Sequence, residues 1–202
     1  MPRTKTGTYA VGRKRRERII EAAAARFADA GYHRTSLAEI AESVGVTEGG
    51  LLYHFPSKKH LLLAVAEHRI ASEADWWAQI PEEAGLAGVL DQMVLSAERF
   101  LRQPGLIELS VLASAEAADP SSPAHATFAA RYERAVDELA GMFRRCVTRG
   151  DLPADTDCVA LARQSIAVSD GLQLQWVLSD GKIDLIAGIR DHTRRIRSHA
   201  AG

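Results

Sequence analysis

The sequence predicts an all-α fold, with a small helical head at the N-terminus and a longer helical body behind it. Three observations carry this expectation. Apolar residues recur at three- and four-residue spacing through most of the 202 residues. No strand-like alternation is sustained, and glycine or proline breaks cut the pattern into about nine segments.

Each segment has its own start and stop. Residues 1–12, MPRTKTGTYAVG, carry basic residues without an apolar period and are expected to be a flexible basic arm. From Arg13 the residues Ile20, Ala23, Ala24, Phe27 and Ala28 trace a helical stripe that Gly31 ends. Thr35 or Ser36 can cap a second helix of about two turns, striped by Leu37, Ile40, Ala41 and Val44 and closed by Gly45. Thr47, followed by Glu48, has the side chain of an N-cap for a third helix that runs to Tyr53 or His54. After Pro56, Ser57 can cap again, and a long fourth helix runs from Lys58 to the neighbourhood of Gln79, stopped by Pro81. Later breaks delimit helices over 86–102, 105–117, 122–149, 155–179 and 183–199. The expected organisation is therefore an arm (1–12), a head (13–56) and a body (57–202).

Composition narrows the class. Hydrophobic residues make up 47% and charged residues 25%, which suits a soluble globular chain with an adequate core. Cys146 and Cys158 belong to no CxxC or Cys/His cluster, so neither zinc nor a redox pair is implied, and a reduced cytoplasm fits. No stretch approaches the roughly 18 apolar residues of a membrane span, and the basic N-terminal run lacks the apolar segment of a signal peptide. Charge is unevenly placed. Residues 1–60 hold 11 Lys/Arg against 6 Asp/Glu, while the remainder holds 14 against 20, the pattern of an anion-binding head on an acidic body.

The segment AEIAESVGVTEGGLLYHF fits a helix-turn-helix. Ala38 and Ala41 are small enough for two helices to cross closely, Gly45 can take a positive φ, and Val46 plugs the turn. The second helix of such a pair lies in the major groove of DNA. Gly49 and Gly50 would each cost about 1 kcal/mol inside a helix, which a close approach of backbone to DNA would explain. The run from Arg13 and Lys14 to Arg16, with Arg3 and Lys5 before it, suits phosphate or minor-groove contacts. A solvated helix start is the plainer reading of the same residues.

Several linked motifs over residues 13–66 resemble the TetR family of repressors. Ile20-Ile-Glu-Ala-Ala with Phe27 and Gly31-Tyr32 is similar to its first helix, Thr35-Ser-Leu-Ala-Glu-Ile-Ala to its second, and Gly45-Val-Thr-Glu-Gly to its turn and recognition helix. Tyr53-His-Phe-Pro-Ser-Lys with Leu61-Leu-Leu is similar to the start of its fourth. The resemblance implies that Thr35 and Ser36, with the free N–H groups of the second helix, hold a phosphate. It places Thr47, Glu48, Gly49 and Gly50 in the major groove, Tyr53 and His54 near phosphate or base edge, and Lys58 on the DNA backbone. Many members have tyrosine where this chain has Leu52, so one familiar contact is absent. A segment from Leu109 to Pro120, followed by Pro123-Ala-His, resembles an actinobacterial-type subgroup.

For the body the resemblance implies a cavity for a small-molecule effector and a homodimer through the last two helices. Candidate cavity residues are Trp77, Met93, Phe100, Leu109, Leu112, Tyr132, Phe143, Gln173 and Trp176, though bulky residues at helical spacing are more often plain core. Candidate dimer stripes are Val159, Ala162, Ile166, Ser169, Leu172, Gln173 and Trp176, then Ile183, Leu185, Ile186, Ile189 and Ile196. An enzyme is not expected, since P-loop, Rossmann, GxSxG and HExxH signatures are missing. No cofactor is implied. The expected function is a repressor that binds double-stranded operator DNA and is released by an effector; an activator or a ligand-free DNA-binding regulator would share the same head.

Overall fold

The computed structural model describes residues 5–200. Its helices are α1 (Lys5–Ala30), α2 (Leu37–Ser43), α3 (Glu48–His54), α4 (Lys58–Trp77), α5 (Gly85–Leu101), α6 (Pro104–Ala117), α7 (His125–Arg149), α8 (Cys158–Leu178) and α9 (Leu185–Ala200). A 3-10 turn over Glu82–Ala84 precedes α5, and no strand occurs among the described residues. The fold is all-α, as the periodicity predicts. None of these helices is long and apolar enough to cross a membrane.

The start of α1 corrects one expectation. Residues 5–12, read from the sequence as arm, are helical turns continuous with the rest of α1. Extension from an existing helical nucleus fixes one residue at a time, so Gly7 and Gly12 weaken these turns without stopping them. Arg3 lies outside the described residues.

The chain divides into two compact units, one ending at Ala71 and the other beginning at Ser72, so the dividing point falls inside α4 and not at Pro56. Leu61 to Ala66 are all buried, and these first turns of α4 belong to the head unit. In that unit α1 buries Ile19, Ile20, Ala23 and Phe27 along one face, α2 buries Ile40 and Ala41, and α3 buries Leu51. Gly31 and Gly45 have φ of 82° and 70°, the left-handed conformation that a glycine adopts without steric cost as a chain leaves a helix.

The second unit has its own core. Leu86, Val89, Leu90 and Met93 of α5 pack with Ile107 of α6, Phe143 of α7, Ala162 of α8 and Ile189 of α9. Phe143 is fully buried, and truncating such a residue to alanine costs about 3–5 kcal/mol. Asp151, in the turn after α7, accepts a hydrogen bond from the Leu86 N–H at 3.2 Å and so caps α5 from a distant part of the sequence.

The stripes expected to meet a symmetry mate are only partly covered within the single chain: Val159 is exposed, and Ile166, Ser169, Leu172, Trp176, Ile183 and Ile186 are half-buried. Ala162 and Gln173 are buried within their own unit, as are Leu185, Ile189 and Ile196 of α9. Helix α8 packs against α6, α7 and α9, and Ala162 belongs to the core they share. Another face stays open: Leu174 is 43% exposed, Leu178 74%, and Ala167 lies one heptad before Leu174 on the same side.

Candidate nucleic-acid interface

Helices α2 and α3 are each only two turns long, and their ends are held by side chains. Ser36 caps α2: its hydroxyl accepts from the Glu39 N–H at 3.1 Å. Glu39 reaches back, with Oε2 accepting from the Ser36 N–H at 2.7 Å and the Ser36 hydroxyl at 2.9 Å. The two residues form a capping box. Hydrogen bonds from the Ser36 backbone and side chain hold the Glu39 carboxyl below its ordinary range, so it remains an anion at neutral pH. The Glu39 carboxylate thus shares the start of α2 with the Ser36 hydroxyl, and both residues are exposed.

Thr35 is committed elsewhere. It is 3% exposed, and its hydroxyl donates to the carbonyls of Gly31 at 2.9 Å and Arg26 at 3.3 Å. The hydroxyl therefore ties the start of α2 to the end of α1 instead of facing outward. This burial corrects the phosphate role read from sequence for Thr35. The signal that could have found it is position: Thr35 lies four residues after Gly31, within reach of the carbonyls left unpaired where α1 ends.

The N-terminal face of α3 is open. Thr47 caps it, its Oγ1 accepting from the Gly50 N–H at 3.1 Å, which leaves the hydroxyl proton free to donate outward. Thr47, Glu48 and Gly49 are exposed, and nothing within 4 Å would meet a side chain added at Gly49. Among the described residues no contact therefore accounts for that glycine. Added at Gly50, a Cβ would meet the Thr47 hydroxyl at 3.3 Å. Tyr53 is 86% exposed and stands edge-on to the His54 ring, with centroids 5.4 Å apart.

The same unit carries several cations. Lys58, at the start of α4, donates to the His33 carbonyl at 3.3 Å and lies 4.5 Å from the centre of the Tyr32 ring. Burial pulls its ammonium below the ordinary lysine range, while the Glu39 carboxylate opposes that shift. Arg18 donates to the Val44 carbonyl at 3.1 Å, bracing the turn between α2 and α3 from α1. Arg13 and Lys14, the basic residues singled out from sequence, are exposed on α1, and Arg13 pairs with Glu17 at 3.7 Å. Arg15 and Arg16, read from sequence only as part of the same run, both act on the charge of His54; the Arg16 guanidinium also lies 5.0 Å from the centre of the Phe55 ring. Their spacing of four from Ile19 and Ile20 is the sequence signal that sets them apart.

The residues expected around an effector all fall in the second unit. Leu109 and Phe143 are fully buried, Met93 and Gln173 are buried, and Trp77, Phe100, Leu112, Tyr132 and Trp176 are half-buried. Trp77 donates from Nε1 to the Ser96 hydroxyl at 3.1 Å. Tyr132 donates to Asp170 Oδ2 at 2.9 Å, with the Ser114 hydroxyl 3.4 Å away. Burial pushes the Asp170 carboxyl above its ordinary range. Three grooves of the second unit, the largest about 800 Å³ between α8, α9 and the turn before α8, are lined by other residues.

A capped helix-turn-helix with an open second helix and basic flanks defines a helical DNA-binding regulator. Comparison with known proteins agrees. The family profile described as bacterial regulatory proteins, tetR family, matches residues 19–65, and the profile described as BetI-type transcriptional repressor, C-terminal, matches residues 102–199. The HTH-type transcriptional regulator TtgR of Pseudomonas putida is 28% identical over 182 residues, covering 86% of this chain and 85% of that protein. The fatty acid metabolism regulator protein of Bacillus subtilis is 25% identical over 170 residues, covering 84% and 87%. The crystal structure of the transcriptional regulator FadR from Bacillus subtilis in complex with stearoyl-CoA shares the fold, with a TM-score of 0.72 at 19% identity over 91% of this chain and 98% of that one. The chain belongs to the TetR family and is a transcriptional regulator.

Proposed function

We propose that the chain is a ligand-responsive repressor that holds duplex operator DNA with α3 in the major groove and releases it when a small-molecule effector occupies the body. The observation that carries this reading is the N-terminal face of α3: Thr47, Glu48 and Gly49 are open to solvent, and among the described residues nothing within 4 Å accounts for Gly49. Ser36, Gly50, Tyr53, His54 and Lys58 complete the proposed contact set, with Arg15 and Arg16 added and the Thr35 hydroxyl removed. The action is a binding equilibrium and needs no covalent step. A cytoplasmic protein fits it.

A recognition helix of two turns reads few base pairs, so two half-sites about one helical turn apart are the natural target, and they call for a homodimer. Within the last two helices, the α8 face carrying Ala167, Leu174 and Leu178 suits a second copy: it is apolar, open and small enough at Ala167 for close helix packing. The effector site is assigned to Trp77, Phe100, Tyr132, Gln173 and Trp176, on the family resemblance and on the partial burial of the four aromatic groups in the second unit. Coupling of about 1–3 kcal/mol would weaken operator binding roughly 5- to 150-fold. Within the family, the segment from Leu109 to Pro120 supports the actinobacterial-type subgroup.

The test is titration of purified protein against duplex DNA from its own upstream region at several salt concentrations. Lys58→Ala should weaken binding to all duplexes and lower the salt slope by about one phosphate. Thr47→Ser, which keeps the cap, should retain stability, whereas Thr47→Ala should cost about 1 kcal/mol in addition to its effect on operator choice. Absence of any salt-sensitive affinity for duplex DNA would overturn the reading.

A further inference from the structure

A groove of about 800 Å³ runs between α8, α9 and the turn before α8. Its α8 wall includes Ala160, Gln164 and Ala167, and the same line continues through Gly171, Leu174 and Leu178. These residues follow one another in steps of four and three, the period of about 3.5 residues that keeps one side of a helix against a partner helix. The seam is open within the single chain: Gln164, Ala167, Leu174 and Leu178 are exposed, and nothing within 4 Å would meet a side chain added at Gly171. Exposed leucines in register with Ala160, Ala167 and Gly171 fit a second α8 at close approach.

The α9 wall of the groove holds an imidazole whose hydrogen bonding is fixed. His192 is half-buried there, with Nε2 2.9 Å from the Ser165 hydroxyl oxygen. Ser165 is 2% exposed and donates its own proton to the Leu161 carbonyl at 2.8 Å, so its oxygen accepts from His192. Nε2 therefore carries the proton of the neutral ring. Nδ1 makes no hydrogen bond among the described residues, and it is the atom that titrates. Along the groove α9 also supplies Arg195 and His199, and the chain before and at the start of α8 supplies Asp155 and Asp157. Asp157 accepts from the Val159 and Ala160 N–H groups at 3.1 and 3.0 Å, and Arg195 pairs with Asp191 at 2.8 Å. The other charged residues of α8, Arg163 and Asp170, bond to Glu133 and Tyr132 of α7, and α5 turns Asp91 and Glu98 to Arg197 and Arg190.

We propose that His192 makes the pairing of two copies of this chain depend on pH: a second copy closes over the α8–α9 groove when the ring is neutral, and a proton on Nδ1 opens the dimer. This rests on the proposed homodimer and adds to it the proton that controls it. Closure takes water away from the ring, and a cation left there without a bonded carboxylate is costly. In the single chain, burial of the ring first and Arg195 second already hold His192 below its ordinary value of 6.5. Covering the groove adds to the first cause, so the ring titrates lower in the dimer than in the monomer. Below the dimer value the ring is charged in both states, and above the monomer value it is neutral in both, so association is flat at either extreme. Between the two the monomer holds more protons, and association weakens as pH falls, by up to about tenfold per pH unit for each of the two rings.

The experiment is sedimentation velocity of the full chain, labelled with a fluorophore at its N-terminus and diluted from micromolar to nanomolar, at fixed ionic strength from about pH 5 to 8. The dissociation constant of the wild type should rise toward the acid end. His192→Gln, which keeps a donor for Ser165, should dimerise with the same constant throughout, and His192→Arg should dimerise weakly at every pH. For a dimer too tight to dissociate on dilution, subunit exchange between two differently labelled samples gives the same readout, faster toward acid in the wild type and uniform in His192→Gln. The helical circular-dichroism spectrum at each pH confirms that the chain is folded. A pH dependence that His192→Gln retains, or a wild-type dimer equally strong across the range, would overturn the role of His192. A wild type that is monomeric at every concentration at the alkaline end would instead overturn the proposed homodimer.

Discussion

Thr35→Val replaces a hydroxyl by a methyl of the same shape and separates two roles for one residue. The Thr35 hydroxyl is buried and donates to two carbonyls near the end of α1, at 2.9 and 3.3 Å. A buried neutral hydrogen bond contributes about 0.5–1.5 kcal/mol, and leaving an acceptor dry costs more, so the substitution should destabilise by about 1–2 kcal/mol. For a chain of this length each kcal/mol moves the melting temperature by roughly 2–4 °C, so thermal unfolding followed by circular dichroism should show a fall of about 2–8 °C. Thr35→Ser keeps the donor and loses only a buried methyl, at about 0.5–1.5 kcal/mol. Duplex affinity measured well below the transition should be unchanged in both variants. Loss of DNA affinity in Thr35→Val with an unaltered melting curve would refute the internal tie and restore the phosphate role.

Other perturbations follow from the second unit. Leu174→Glu with Leu178→Glu should convert a dimer to a monomer in sedimentation experiments while leaving the helical signal intact, because both residues are exposed within the single chain. Asp170 titrates above its ordinary 3.8 in the folded protein because it is buried, so the folded state holds the proton more tightly than the unfolded chain and stability falls as pH rises through the raised value. Asp170→Asn keeps an acceptor for Tyr132 and removes that dependence, which urea titrations from acid to neutral pH would reveal as a growing advantage of the variant. Arg194→Gln with Arg195→Gln should leave the salt slope of duplex binding unchanged, since both already pair with Asp191.

The head was the more legible part of the sequence because its determinants are local. Gly31 and Gly45 mark helix ends through the conformation of single residues, and Ser36 with Glu39, like Thr47, signals a helix start within four positions. Phe27, Ile40 and Leu51 follow from periodicity alone. Direction at a cap was harder to read. Thr35 and Ser36 are adjacent hydroxyls, and only the path of the chain after Gly31 decides that one is buried and the other caps α2. The body exposes the same difficulty on a larger scale. Periodicity located α8 and α9 to within a few residues, but α8 packs against three helices, and which of its residues meet α6, α7 or α9 depends on the packing of helices far apart in sequence.

Counting basic residues directs attention to the right half of the chain, yet pairing decides which of them can hold an anion. Helix α9 carries Arg190, Arg194, Arg195 and Arg197, a basic cluster comparable in size to the N-terminal run. Arg190 pairs with Glu98, Arg197 reaches Asp91 at 3.7 Å, and Arg194 and Arg195 share Asp191, so this charge is largely neutralised within the second unit. These pairs are on the surface and contribute little to stability, but each lowers the potential that an approaching phosphate would feel. On α1 the balance is opposite: Arg15 and Arg16 have no acidic partner among the described residues, and His54 is held below its ordinary value by burial first and by these two arginines second. A phosphate approaching there would meet two full charges without first displacing a carboxylate, whereas the arginines of α9 are already paired.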